Sequence, residues 1–341
     1  MAKTDPTTIP AAPAPERRPL AVGGWRNAGQ TYGGLAALVL LILFNIIFTP
    51  HFLSLQTLNA NLVQVAPTAI VAAGMTLVIA TGGIDLSVGS LMAIAGALAP
   101  LIFLGKLLPL GDSTPLGNIL AVVIAILVTG LLGLFNGTLV TVFRIQPIIA
   151  TLILFIAGRG IAQVLTNGNL QDFSNPGFLF LGQGRVLGIP FQVILMIIVI
   201  AVVAVVVRTT TFGRYLLAIG GNEAASRLSG IPVSNIKRTV YVISGALAGV
   251  AGLIIIAINS SSDANQVGLN GELDAIAAVA VGGTPLTGGQ ANVVGTLVGA
   301  LIIQLIRTTL IANNVSPDIA QVINAAIILL AVYVQRQRKA S

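Results

Sequence analysis

The segment Gly82-Gly83-Ile84-Asp85-Leu86-Ser87-Val88-Gly89 places a carboxylate two residues before a hydroxyl, inside a long apolar stretch. Such a carboxylate can act as an acid or base, or couple an ion, and a hydroxyl beside a base can be a nucleophile. The rest of the chain withholds the partners for most of this chemistry. It has no cysteine and a single histidine, His51, which follows Pro50 and reads as an interfacial loop residue. No Ser/His/Asp set, no buried carboxylate pair and no His/carboxylate metal cluster can be assembled. There is no G-x-x-x-x-G-K-[ST] loop, so the chain does not bind ATP itself by that route. No catalytic residue and no metal ligand is assigned, and the chain is read as a non-enzyme.

The elements that must position Asp85 follow from composition. Of the 341 residues, 55% are hydrophobic and 8% charged, against about 25% charged in soluble domains. Several apolar runs exceed the roughly 18 residues that read as membrane-spanning. The fold class is therefore all-α, a polytopic protein of the lipid bilayer. The formal charge of +7 is spread through loops, which suits anionic lipid and gives no nucleic-acid surface. Residues 1–32, with Pro10, Pro13, Pro15, Arg17 and Arg18, read as a disordered cytoplasmic tail.

Spans are expected near 33–49, 61–80, 88–105, 118–142, 147–166, 188–207, 239–258, 272–288, 291–312 and 317–334, within a transmembrane domain of 33–335. The eighth is short and carries Glu272 and Asp274 at its start, so a half-helix or re-entrant segment is expected. With the N-terminus inside, Arg144, the basic loop 208–238 and the basic C-terminus 336–341 all fall on the cytoplasmic side.

Gly82-Gly83 has an echo. Gly282-Gly283-Thr284-Pro285-Leu286-Thr287-Gly288-Gly289 shares the pattern G-G-x-x-L-[S/T]-x-G at an offset of 200. Gly-interrupted segments at matching places in two halves point to a transport path; small-residue composition alone can also produce such a match. Asp85 would cost about 2.5–3.5 kcal/mol at mid-bilayer and far less at a span's end. Two readings stand for it: a cap-and-turn device with Ser87, or a gate. Asn136, Gln146, Arg159, Gln163, Gln304 and Arg307 are the other polar residues in or beside spans. They either face a wet path or hydrogen-bond between helices.

The loop 208–238 holds a short helix. Asn222 is suited to cap it, Glu223 sits in its first turn, and Gly230 before Ile231-Pro232 ends it. About two turns are unstable alone in water, so the helix either lies on the membrane or docks into something.

Four stretches, TGGIDLSVGS (81–90), IQPIIATLILFIAGRGIAQ (145–163), GRYLLAIGGNEAASRLSGI (213–231) and LDAIAAVAVGGTPLTGG (273–289), resemble the permease subunits of bacterial ABC sugar importers of the ribose type. The resemblance covers roughly 35–335. The stretch 263–279, DANQVGLNGELDAIAAV, is most similar to the galactofuranose-transporting members. The resemblance implies about ten transmembrane helices with an internal repeat, and a second permease, identical or sister, as partner. It further implies a cytoplasmic ATP-binding subunit that holds ATP and Mg, and a periplasmic sugar-binding protein. Location in the inner membrane with both termini cytoplasmic follows from the same likeness. In this family a helix with an E-A-A-…-G pattern docks on the ATPase; Glu223, Ala224, Ala225 and Gly230 match it, and with the capping Asn222 they make up the expected ATPase-coupling site. Gly82, Gly83, Asp85, Ser87, Asn136, Arg159, Gly282 and Gly283 are placed near the translocation path or gate. The competing reading is an ion-coupled secondary transporter or channel, with Asp85 as its coupling carboxylate.

Overall fold

The structure, a computed structural model, describes residues 24–49, 51–108 and 113–316 and five further positions between 319 and 326. The expected tenth span at 317–334, the C-terminus 336–341 and the tail up to residue 23 lie outside, or almost wholly outside, the described residues.

Twelve helices follow one another among the described residues. They are α1 (Gly24–Phe48), α2 (Leu55–Ala80), α3 (Val88–Phe103), α4 (Pro115–Thr141), α5 (Pro147–Thr166) and α6 (Pro176–Gln183). Then come α7 (Phe191–Thr209), α8 (Thr211–Gly221), α9 (Glu223–Leu228), α10 (Val233–Asn259), α11 (Gly271–Val281) and α12 (Val293–Ala312). Six of them, α2, α4, α5, α7, α10 and α12, are long and apolar enough to cross a membrane. The first nine expected spans correspond to α1–α5, α7 and α10–α12. The α1 helix begins at Gly24, within the residues 1–32 read as a tail, and it contains no proline. The eighth span is short, as its acidic start implies; α11 has 11 residues and stops at Val281.

Local chemistry sets the ends. Ser54, Thr114 and Asn292 each accept a backbone N–H from the first turn of α2, α4 and α12, at 3.1, 3.1 and 2.9 Å. Such caps satisfy donors that would otherwise be orphaned.

The core is α2 from Val65 to Ala80, together with nearly all of α3; both are buried along their length. Around them stand α10, α12, α11 and α7 on the α2 side, and α4, α5 and α10 on the α3 side. Lipid is as apolar as leucine, so close packing and hydrogen bonds must hold the helices together. Gly133 on α4 faces Gly245 on α10, while Gly137 packs against Arg238 and Tyr241 and Gly249 against Thr129 and Ile126. A Cβ at Gly133 would overlap the Tyr241 carbonyl, and one at Gly245 the Thr129 carbonyl. At the other side, hydroxyl and amide pairs join α12 to α1 and α2. Thr309 donates to Asn45 at 2.8 Å, Thr308 to Asn61 at 2.6 Å, and Gln304 to Gln64 at 2.7 Å. Gln304 thus serves interhelical hydrogen bonding. Large apolar side chains on α1, α4, α5 and α7 are left exposed, as a bilayer requires.

Candidate coupling and translocation sites

The segment after α7 folds back on the domain through α8. Thr210 caps it, and Gly213, Leu216 and Ile219 form its buried side. Asn222 then ends α8 and caps α9, accepting from the Ala225 amide at 2.9 Å. Gly230 closes the segment at φ +78°, a conformation that glycine adopts without strain. Glu223 accepts from Lys237 at 2.5 Å and from Arg227 at 2.7 Å. Partial burial pulls its carboxyl upward, but these two cations outweigh that and hold it below its ordinary value. The salt bridge to Lys237 fixes α9 to the first turns of α10. Ala224, Ala225 and Leu228 are left on one exposed face, with Leu228 91% exposed. The result is an apolar side chain offered to water on a low-profile alanine face. Sequence reasoning passed over Leu228; its spacing of three and four residues from Ala225 and Ala224 was the available signal.

The α8 helix ends on a junction of three glycine pairs. The Gly289 amide donates to the Ala80 carbonyl at 3.0 Å. Gly220 lies so close that a Cβ there would overlap both that carbonyl and the Gly289 nitrogen. A Cβ at Gly288 would meet the Gly82 nitrogen at 2.8 Å, and one at Gly289 the Gly221 Cα at 3.1 Å. The two halves of the echo therefore touch, and the segment carrying α9 touches both. Their local geometry also matches. Gly82 (φ +79°) ends α2 with the Gly83 amide bonded back to Val78. Gly283 (φ +86°) ends α11 with the Thr284 amide bonded back to Val279. Both are left-handed C-terminal caps, offset by one residue from the sequence alignment of the echo. Gly282 itself packs against Gly295 of α12.

Beyond Gly83 the chain buries Asp85 completely. Its Oδ1 accepts from the Ser87 amide at 3.0 Å and the Ser87 hydroxyl at 2.6 Å; its Oδ2 accepts from Ser244 of α10 at 2.9 Å. Asn136 of α4 donates to the Ser87 hydroxyl at 2.8 Å, and the Leu86 amide donates to Thr151 of α5 at 3.1 Å. Asp85, Ser87 and Asn136 thus form one sealed knot joining the α2–α3 turn to α4, α5 and α10. The Ser87 hydroxyl does not cap α3; it is drawn to the carboxylate instead. The Tyr241 hydroxyl and the Asn136 Oδ1 are buried without a hydrogen-bond partner among the described residues.

Arg159 stands apart from the knot. Its Nη1 donates to the Ala264 and Val267 carbonyls at 2.8 and 2.6 Å, and one turn on Gln163 donates to Asn265 at 2.7 Å. These bonds tie α5 to the loop between α10 and α11.

A bundle with six helices long and apolar enough to cross a membrane, broken at paired glycine turns, defines a multi-pass membrane protein. The family described as branched-chain amino acid transport system / permease component matches residues 57–332, and the chain belongs to it. The chain is 40% identical over 313 residues to the galactofuranose transporter permease protein YtfT of Escherichia coli K12, covering 89% of each. It is 41% identical over 309 residues to the ribose import permease protein RbsC of the same organism, covering 89% of this chain and 93% of that one. To the fructose import permease protein FruF of Bifidobacterium longum it is 37% identical over 316 residues, covering 88% and 86%. No solved structure matches the chain. Members of this family are transport subunits and not enzymes, as expected.

Proposed function

We propose that the chain is the permease subunit of an ATP-driven importer that moves a monosaccharide of the galactofuranose or ribose class across the inner membrane by alternating access. The observation that carries this reading is likeness over 88–89% of the chain to sugar-import permeases of Escherichia coli and Bifidobacterium longum. A periplasmic binding protein delivers the sugar, and a cytoplasmic subunit binds ATP and Mg. A second permease, identical or sister, completes the membrane part. The α9 helix supports the ATPase docking assignment through its capped, salt-bridged geometry and its exposed Leu228. Both termini are cytoplasmic in this reading.

Asn222, Glu223, Ala224, Ala225 and Gly230 carry the coupling. The glycine junction then links the docked segment to the turns at Gly82-Gly83 and Gly282-Gly283, so that a displacement of α9 reaches both. An ion-coupled carrier would need a coupling carboxylate that ions reach; Asp85 is sealed by three hydrogen bonds and offers no such access.

The test is uptake in cells that make the complete importer with Glu223→Arg or Gly230→Trp. Both variants should insert normally and fail to import. Normal transport in both would refute the docking assignment.

A further inference from the structure

Among the described residues α1 packs chiefly on α12, where the Thr309 hydroxyl donates to Asn45 at 2.8 Å. Asn45 shares one helix face with Leu38 and Ile42, three and seven residues before it. Those two leave a cavity of about 260 Å³ where α1, α2 and α12 meet. Its other walls are Leu301 and Leu305 on α12, with Leu53 and Leu58 where the chain turns into α2. Leu38 lies ten residues before the end of α1 at Phe48, so the cavity is a slot about 15 Å deep. Its volume over that depth gives a section of about 17 Å², the width of one hydrocarbon chain.

The slot's chemistry is as narrow as its shape. Asn61 and Gln304 are the polar residues on its wall, and both are engaged elsewhere. Asn61 accepts from Thr308 at 2.6 Å and donates to the Thr57 carbonyl at 2.9 Å, while Gln304 donates to Gln64 at 2.7 Å. A buried water needs about two to four polar partners, and apolar cavities of roughly 150 Å³ stay dry and take hydrocarbon such as benzene. A sugar would need more polar partners still.

The 26 residues of α2 separate the slot's mouth from Ala80 and the α8 junction, so it opens at the membrane surface opposite α9. Leu53 and Leu58 at the mouth are exposed, as are Leu43, next to Ile42, and Ile47. The mouth is therefore continuous with the lipid-facing surface of α1. A helix with its side chains is about 10–12 Å across and too wide to enter; a hydrocarbon chain is not.

We infer that the slot takes one acyl chain of a bilayer phospholipid, from the leaflet opposite α9, as a wedge between α1, α2 and α12. The site is independent of the solute that the protein carries.

The test places the full chain in nanodiscs of phosphatidylglycerol with a diazirine midway along one acyl chain. After irradiation, adducts are mapped by mass spectrometry. They should form at the exposed Ile47 and also at Leu305, which is 8% exposed and meets lipid through the slot. Leu301→Trp, which fills the slot, should abolish the Leu305 adduct and leave the one at Ile47 unchanged. Leu58→Phe, at the mouth, serves if Leu301→Trp does not insert. Adducts at Ile47 with none at Leu305 in the wild-type protein would overturn the inference. So would a Leu305 adduct that neither substitution reduces. The chain has no native cysteine, so a disulfide between Leu305→Cys and a second substituted cysteine within 317–334 would also overturn it, by putting the chain's own segment in the slot.

Discussion

The Gly289 amide donates to the Ala80 carbonyl at 3.0 Å, joining the loop after α11 to the last residue of α2. Gly220 fills the remaining space against the same carbonyl. One backbone hydrogen bond thus joins the two repeated glycine turns, and the segment that carries α9 packs against both at Gly220 and Gly221.

Gly220→Val tests that contact. A branched side chain there must displace the Ala80 carbonyl, and overpacking of this kind costs about 1–3 kcal/mol. The purified complex should unfold at lower temperature, and uptake should fall further than the lost stability explains. Gly221→Ala is the control, since nothing lies within 4 Å of a Cβ at Gly221; uptake should persist.

Asp85 and its hydroxyl partners should behave as a structural unit. Asp85→Ala leaves Ser87, Ser244 and Asn136 without their shared acceptor network and should destabilise by about 3 kcal/mol or more. Ser244→Ala removes one donor and should cost about 1–2 kcal/mol. Thermal unfolding of the complex in detergent measures both. Full stability in Asp85→Ala would show that the knot holds nothing together.

Tyr241→Phe should go the other way. Its hydroxyl is buried without a partner among the described residues, so removing it relieves an unsatisfied group and should leave stability unchanged or raised by up to about 1 kcal/mol. A marked loss would reveal a hydrogen bond that forms in another conformation.

Glu223 gives α9 an acid-sensitive tether. Its carboxyl is held below the ordinary value of 4.5, so the folded state binds its proton less readily than the unfolded one. The stabilisation is complete above that ordinary value and fades as pH falls through the lower folded value. Because the side chain is 39% exposed, solvent screening keeps the effect small. Amide exchange in α9 should quicken below about pH 4.5 in wild type relative to Glu223→Gln, in which that pH dependence disappears.

Leu228→Asp should weaken binding of the ATPase partner by about tenfold or more, because docking would bury an unpaired carboxylate where an apolar side chain sat. Pull-down of the partner by the membrane-inserted variant measures this. Unchanged capture would remove Leu228 from the interface.

The sequence disclosed the elements whose causes are local. Long apolar runs located the spans, and the acids at 272 and 274 marked α11 as short. Asn222 and Gly230 bounded α9 because capping and left-handed stops depend on single residues. The α6 and α8 helices were missed: one is 8 residues long and the other buries only a narrow stripe, so neither shows a span-length pattern. Nor could the chain alone bring Gly220 to Ala80, or Arg159 to the loop of Ala264 and Val267, since those contacts come from tertiary packing across 105 residues or more. Asp85 was legible as a costly carboxylate, while its partners Asn136 and Ser244 lie 49 and 159 residues away from the knot residues they bind.

The most direct measurement is uptake into proteoliposomes holding this chain with its ATP-binding subunit, its second permease and the sugar-loaded binding protein. The account predicts sugar accumulation that requires ATP and all of these components. Accumulation by this chain alone, driven by an ion gradient and indifferent to ATP, would contradict it.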